Sequence, residues 1–175
     1  MTATPSVSLR AATDDDLDVL FEIAADLSTW EERSPEPPRL LTRDQFDARR
    51  ARAAESAASG DTASFVIDAD GTAVGAASLF NVDSLARHAE VGINLRPDAR
   101  GRGIGTAAVE LLVEFGFVRR NLRRLHLQAI ASNTAAIRAY EKAGFVVEGR
   151  QREHAWVRGG YEDIVLMGIL RSDTG

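Results

Sequence analysis

Arg100-Gly101-Arg102-Gly103-Ile104-Gly105 stands between a strand-like run, 89–96, and a strongly helical one, 106–118. Three glycines at the start of a helix can leave several backbone N–H groups open to an anion. The positive end of the helix dipole and the charges of Arg100 and Arg102 favour the same ligand. A pyrophosphate-binding turn is therefore the leading reading, although glycines also occur at such places simply as turn formers. The turn lacks the Lys-Ser/Thr pair of a P-loop, and its spacing does not fit the G-x-G-x-x-G dinucleotide fingerprint. Another part of the chain must choose the ligand.

That part lies about thirty residues on. Ser132-Asn-Thr-Ala-Ala-Ile-Arg-Ala-Tyr-Glu-Lys-Ala-Gly-Phe145 reads as a short helix with Asn133 as N-cap and Gly144 as its stop. Asn133 and Tyr140 are seven residues apart, two helical turns, so both polar groups can point along one face toward a common ligand. A capped helix that packs its tyrosine into the core would carry the same pattern.

Taken together, the turn and the helix resemble the Gcn5-related N-acetyltransferase family. Its acetyl-CoA site pairs an Arg/Gln-x-x-Gly-x-Gly/Ala turn, matched here by Arg100, Gly103 and Gly105, with a following Asn…Tyr helix. The resemblance also takes in His88-Ala-Glu-Val-Gly-Ile-Asn-Leu-Arg-Pro97 and Gly160-Tyr-Glu-Asp-Ile-Val-Leu-Met-Gly-Ile-Leu170, covering roughly 63–170. In this half the pattern is most similar to the ribosomal-protein N-terminal and spermidine acetyltransferase branch. The first sixty residues match only loosely. The resemblance implies acetyl-CoA as cosubstrate, held by Ile93, Asn94 and Leu95, by Arg100, Gly101, Arg102, Gly103, Ile104, Gly105 and Thr106 of the turn, and by Asn133.

Composition sets further bounds. A chain of 175 residues is most simply one domain, 1–175, large enough to bury about 70% of the surface exposed when unfolded. With no cysteine, it has no disulfide, thiolate metal site or cysteine acyl-enzyme. The first ten residues lack an apolar signal region, and the apolar stretch at 164–170 is far too short to span a bilayer. The expectation is a soluble, cytoplasmic protein without membrane contact. A net charge of −5 argues against coating nucleic acid. Between residues 1 and 40, nine acidic residues face three arginines, a bias that suits a cationic substrate, yet Asp14, Asp15 and Asp16 also stand where a helix start favours negative charge. The basic run Arg119-Arg-Asn-Leu-Arg-Arg124 reads as a solvated helix end.

Periodicity supplies the order of elements. A strand at 7–11 precedes a helix from Thr13 whose apolar residues recur through Leu27. Ser34-Pro-Glu-Pro-Pro38 connects it to a second helix, from Thr42 to a stop at Gly60. Runs 64–68 and 72–80 form a hairpin around Asp70-Gly71. Strand 88–95, helix 106–118, strand 124–130 and helix 134–143 follow, then strands 153–157 and 161–170. This order predicts an α/β sheet with one parallel crossover region. The resemblance sharpens it into an acetyltransferase fold: a mixed central sheet flanked by helices, with strands 89–96 and 124–130 splayed to leave a slot for the pantetheine arm.

Acetyl transfer to an amine needs a neutral nucleophile, support for the oxyanion, and a proton for the departing thiolate. The family resemblance assigns the proton to Tyr140; the alternative is that Tyr140 only positions the sulfur. Backbone N–H groups near Asn94 or Leu95 suit the oxyanion if that strand bulges. Glu90 leads as base on position, sharing a strand face with Gly92 and Asn94; its alternative is a paired structural carboxylate. Glu31 and Glu32 resemble a Trp/Glu-rich segment of the spermidine enzymes and are the candidates to bind substrate. His88, His126 and His154 lack the spacing of a metal site, and no Gly-x-Ser-x-Gly elbow occurs. Trp156 and Tyr161 read as packed aromatics or as a pocket lining. The leading function is direct acetyl transfer to a primary amine: a protein N-terminus, a polyamine or a small molecule. The rival is a non-catalytic acyl-CoA-binding sensor. Related enzymes are often dimers, and the apolar last strand suits a homodimer interface or an internal core position equally.

Overall fold

The computed structural model describes residues 5–34 and 37–175. Pro35 and Glu36 of the predicted connector, residues 1–4 and the side chain of Glu32 lie outside the described residues. Seven strands form one sheet: β1 (Val7–Arg10), β2 (Ala63–Ala69), β3 (Thr72–Asp83), β4 (His88–Leu95), β5 (Arg124–Ile130), β6 (Val146–Val157) and β7 (Gly160–Leu170). Their spatial order is β1-β2-β3-β4-β5-β7-β6, and β4–β5 is the parallel pair. The helices are α1 (Leu17–Ala25), α2 (Leu27–Arg33), α3 (Arg43–Ser59), α4 (Ile104–Glu114) and α5 (Thr134–Lys142).

Helix α4 buries Ile104, Ala108, Val109, Leu112 and Val113, a stripe at helical spacing. It packs on the odd-numbered face of the central strands, with Leu79, Ala89, Val91, Leu125, Leu127, Met167 and Ile169. Leu112, fully buried here, is a position where truncation to alanine costs about 2–5 kcal/mol. Ile130 and Ile164, paired across β5 and β7, belong to a smaller cluster on the opposite face with Ala155 and Val157. No helix among the described residues is long and apolar enough to cross a membrane.

Three boundaries differ from the sequence reading. The first helix does not run through Leu27. Asp26 leaves helical conformation (φ −71°, ψ 111°), accepts a hydrogen bond from the Ser28 amide, and starts α2. Helix α4 begins at Ile104, two residues early, and passes into a π-helical turn over Phe115–Arg119, where Gly116 packs close to Leu125. Strand β6 begins at Val146 rather than 153. Its polar run lies along the solvent side of an edge strand and carries two register shifts, with Glu153 at φ +50°, so alternation is absent where pairing persists.

Candidate active site

Parallel pairing between β4 and β5 has three rungs, His88↔Arg124, Ala89↔Leu125 and Glu90↔His126. Beyond Glu90, β4 stays with β3 as far as Leu95, and β5 stays with β7 as far as Ile130. The two strands therefore diverge and open a slot. The Arg96 amide donates to the Val74 carbonyl at 2.9 Å. By alternation, Asn94 also turns its backbone toward β3, whereas Val91, Ile93 and Leu95 present theirs to the slot. The bulge considered for β4 is not there: its register with β3 is unbroken from Glu90 to Leu95, and the irregularity lies in β3, between Phe80 and Asp83. Strand divergence, not a bulge, opens the Ile93 and Leu95 amides.

The slot leads to the glycine turn. After a 3-10 turn over Pro97–Ala99, Gly101 (φ +71°) and Gly103 (φ +81°) take left-handed conformations, and Gly103 is the N-cap of α4. No side chain caps this end. The first backbone bond runs from the Ala107 amide to the Gly103 carbonyl, so the amides of Ile104, Gly105 and Thr106 have no intrahelical partner. Gly105 faces the strand, where an added Cβ would lie 3.4 Å from Leu95 and 3.8 Å from Ile93. Arg102 is exposed beside the turn. Arg100 instead points inward, donating to the Leu95 carbonyl and, at 3.0 Å, to the Thr29 hydroxyl of α2. Two open hollows of about 290 and 270 Å³ flank Arg96; the first reaches Arg102, and neither is lined by Glu90 or Tyr140.

Asn133 caps α5, its side-chain oxygen accepting from the Ala136 amide at 3.2 Å. Seven residues on, Tyr140 is buried against Phe145, with ring centroids 6.0 Å apart. Burial pushes its phenol up to about 12. At neutral pH Tyr140 therefore holds its proton, the state required of a proton donor.

Glu90 lies on the even-numbered face of β4, away from the α4 core. The β3 irregularity puts Asn81 at φ +51° and aims its amide at Glu90, Nδ2 to Oε2 3.1 Å. Beside Glu90 stands His126, whose protonation burial disfavours. Glu31 pairs with Arg158 at the β6–β7 turn (3.7 Å), which brings α2 up to the tip of that hairpin. Of the two readings for Trp156 and Tyr161, core packing does not hold: they are 56% and 69% exposed and stack edge to face at 4.9 Å. Among the described residues no group of three or more His, Cys, Asp or Glu could hold a metal ion. Sequence reasoning missed Asn81, Thr29 and Arg158. An Asn interrupting a strand run was the available signal for the first; the others are contacts between segments distant in the chain.

Residues 6–146 match the family model of the acetyltransferase (GNAT) domain. Spermidine N(1)-acetyltransferase of Escherichia coli (strain K12) is 34% identical over 107 residues, 61% of this chain and 58% of that protein, so the match spans under two thirds of this curated relative. Among solved structures, spermidine N-acetyltransferase from Vibrio cholerae in complex with CoA and spermine superposes with a TM-score of 0.85 at 25% identity, covering 95% of this chain and 96% of that one. Mycobacterium smegmatis RimJ in complex with CoA-disulfide gives 0.83 at 25% identity, covering 95% and 83%.

Proposed function

The chain belongs to the acetyltransferase (GNAT) family, and from that premise we propose that it transfers the acetyl group of acetyl-CoA directly to a primary amine, a polyamine first among the acceptors. The observation that carries this reading is the divergence of β4 from β5 onto the uncapped start of α4. A slot for an extended arm and a cradle for its pyrophosphate are thereby continuous. Acetyl-CoA supplies an activated acyl group on a sulfur leaving group.

The chain's own groups fit the remaining tasks. Amides of Ile104, Gly105 and Thr106 face the phosphates with the positive end of α4 behind them. Slot-facing amides of Ile93 and Leu95 hold the arm and the polarised carbonyl oxygen. Glu90 accepts a proton from the ammonium, directly or through water, as the C–N bond forms. Tyr140 gives its proton to the sulfur as the C–S bond breaks.

Support for a polyamine comes from the spermidine enzymes that this chain resembles. The acidic N-terminal bias adds less than its composition suggested. Asp16 binds Arg10, Asp18 binds Arg43, Asp26 caps α2, and Glu31 meets Arg158. The sensor alternative keeps the cradle and dispenses with Tyr140, whose phenol is nevertheless present and protonated.

The test is to incubate the purified protein with acetyl-CoA and polyamines, N-terminal peptides or amine antibiotics, following thiol release and acetylated product by mass spectrometry. Acetylated polyamine is the expected product. Binding of acetyl-CoA with no product across the panel would overturn transfer in favour of the sensor.

A further inference from the structure

Where β4 and β5 part, the last rung pairs Glu90 with His126, and both side chains lie on the sheet face away from α4. The two groups act on each other electrostatically, the Glu90 charge favouring protonation of His126. The charged neighbours of this pair are themselves partnered. Arg124, two residues before His126 on the same face, is bound by Glu148 of β6 at 2.6 Å. Glu148 reaches it across Gly168, the β7 residue opposite His126, where any Cβ would collide with the Glu148 carboxylate. Asn81, a neutral donor, holds one oxygen of Glu90. On the remaining side, the His88 ring meets that of His126 edge to face at 5.2 Å, and His88 Nε2 lies 3.9 Å from Asp83 at the rim. The Nδ1 atom of His88 is buried without a hydrogen-bond partner.

We propose that His126 acts with Glu90 as the proton acceptor of the reaction, taking on the amine proton that Glu90 receives and passing it toward His88 and solvent. This inference rests on the acetyl-transfer reading. A first proton leaves the ammonium nitrogen for a Glu90 oxygen and then for the His126 ring, the freed lone pair forms the C–N bond, and the nitrogen gives up its second proton to solvent as the tetrahedral adduct collapses to the amide. Tyr140 protonates the departing sulfur, and solvent later restores the phenol. Burial, with His88 and Arg124 nearby, lowers the proton affinity of His126, whereas Glu90 and Glu148 raise it. The ring is consequently neutral at pH 7 and able to accept a proton.

Two readouts test this on the full chain. Imidazole NMR measures the His126 titration without any turnover. Its midpoint is expected below the ordinary histidine value, lower again in Glu90→Gln and higher in His88→Gln. The pH dependence of kcat with a free amine that the protein acetylates then shows whether that ionisation is used. In the wild type an acidic limb should follow the His126 midpoint, and it should move up in His88→Gln. His126→Gln should lose that limb and about a hundredfold in kcat, with acetyl-CoA affinity and Tm preserved. A wild-type limb retained in His126→Gln, or one that stays put in His88→Gln while the NMR midpoint moves, would overturn the relay and leave acetyl transfer standing. Binding of acetyl-CoA without turnover of any amine would overturn both. Should His126→Gln fail to fold, the His88→Gln comparison decides alone.

Discussion

The guanidinium of Arg100 donates twice to the Leu95 carbonyl, through Nε and Nη2, each at 3.2 Å. The same Nη2 reaches Thr29, whose hydroxyl donates to Asp26, the residue that starts α2. An arginine expected to face phosphate thus ties the end of β4, the glycine turn and α2 into one unit.

Replacing Arg100 should loosen that unit. Arg100→Ala removes charge-assisted bonds to a partly buried carbonyl and is expected to cost about 1–3 kcal/mol of stability, together with weaker acetyl-CoA binding. Arg100→Lys should recover little, because an ammonium lacks the planar fork that spans both acceptors. Chemical denaturation and calorimetric titration measure the two effects.

Gly103 and Gly105 should separate backbone strain from space. Gly103 has nothing within 4 Å of an added Cβ but lies at φ +81°, so Gly103→Ala should destabilise by about 1 kcal/mol, and Gly103→Val should also obstruct the ligand's approach. Gly105 sits in helical conformation with room for a methyl group, so Gly105→Ala should be neutral to about 1 kcal/mol stabilising. Thermal unfolding with and without acetyl-CoA compares them; equal ligand affinity in folded Gly103→Val would remove the turn from the phosphate role.

Tyr140→Phe keeps the buried ring and deletes the proton. Acetyl-CoA affinity should stay nearly unchanged, with kcat lowered about ten- to ten-thousand-fold. Single-turnover kinetics isolates the chemical step. An unchanged rate there would leave Tyr140 a positioning role only.

A fourth expectation concerns stability against pH. Hydrogen bonds from the Arg10 guanidinium, and then from the Thr13 amide and hydroxyl, hold the Asp16 carboxyl well below the usual carboxylate range. Its folded-state pKa is depressed, so the contribution is fully present above the unfolded value, about 3.9. It is lost as pH falls through the lower folded value. Asp16→Asn should therefore melt below the wild type at pH 5–8, and the gap should close toward pH 2. A gap independent of pH would mean that Asp16 acts through shape alone.

Much of the fold was legible because its signals are local. Gly101 and Gly103 take the positive φ that their residue type permits, Thr42 starts its helix in a reciprocal cap with Gln45, three residues on, and the stripe of α4 follows from its period. Each of these is decided within about one helical turn of chain, where steric and hydrogen-bonding preferences act without help from distant segments. The helix break at Asp26 escaped notice because apolar periodicity continues through it.

By itself the amino-acid sequence determined the glycine turn that opens α4, the capped Asn133–Tyr140 helix and the order of strands and helices. Tertiary structure alone decided that β4 and β5 part after the Glu90–His126 rung, that Arg100 turns inward to Leu95 and Thr29, and that Asn81 and His126 flank the candidate base. It also set Trp156 and Tyr161 at the surface. The physical reason is range. A strand chooses its neighbours, and where it leaves them, through the packing of helices on both faces and the competing pairings of β3 and β7. These join residues dozens of positions apart, and no local propensity encodes them.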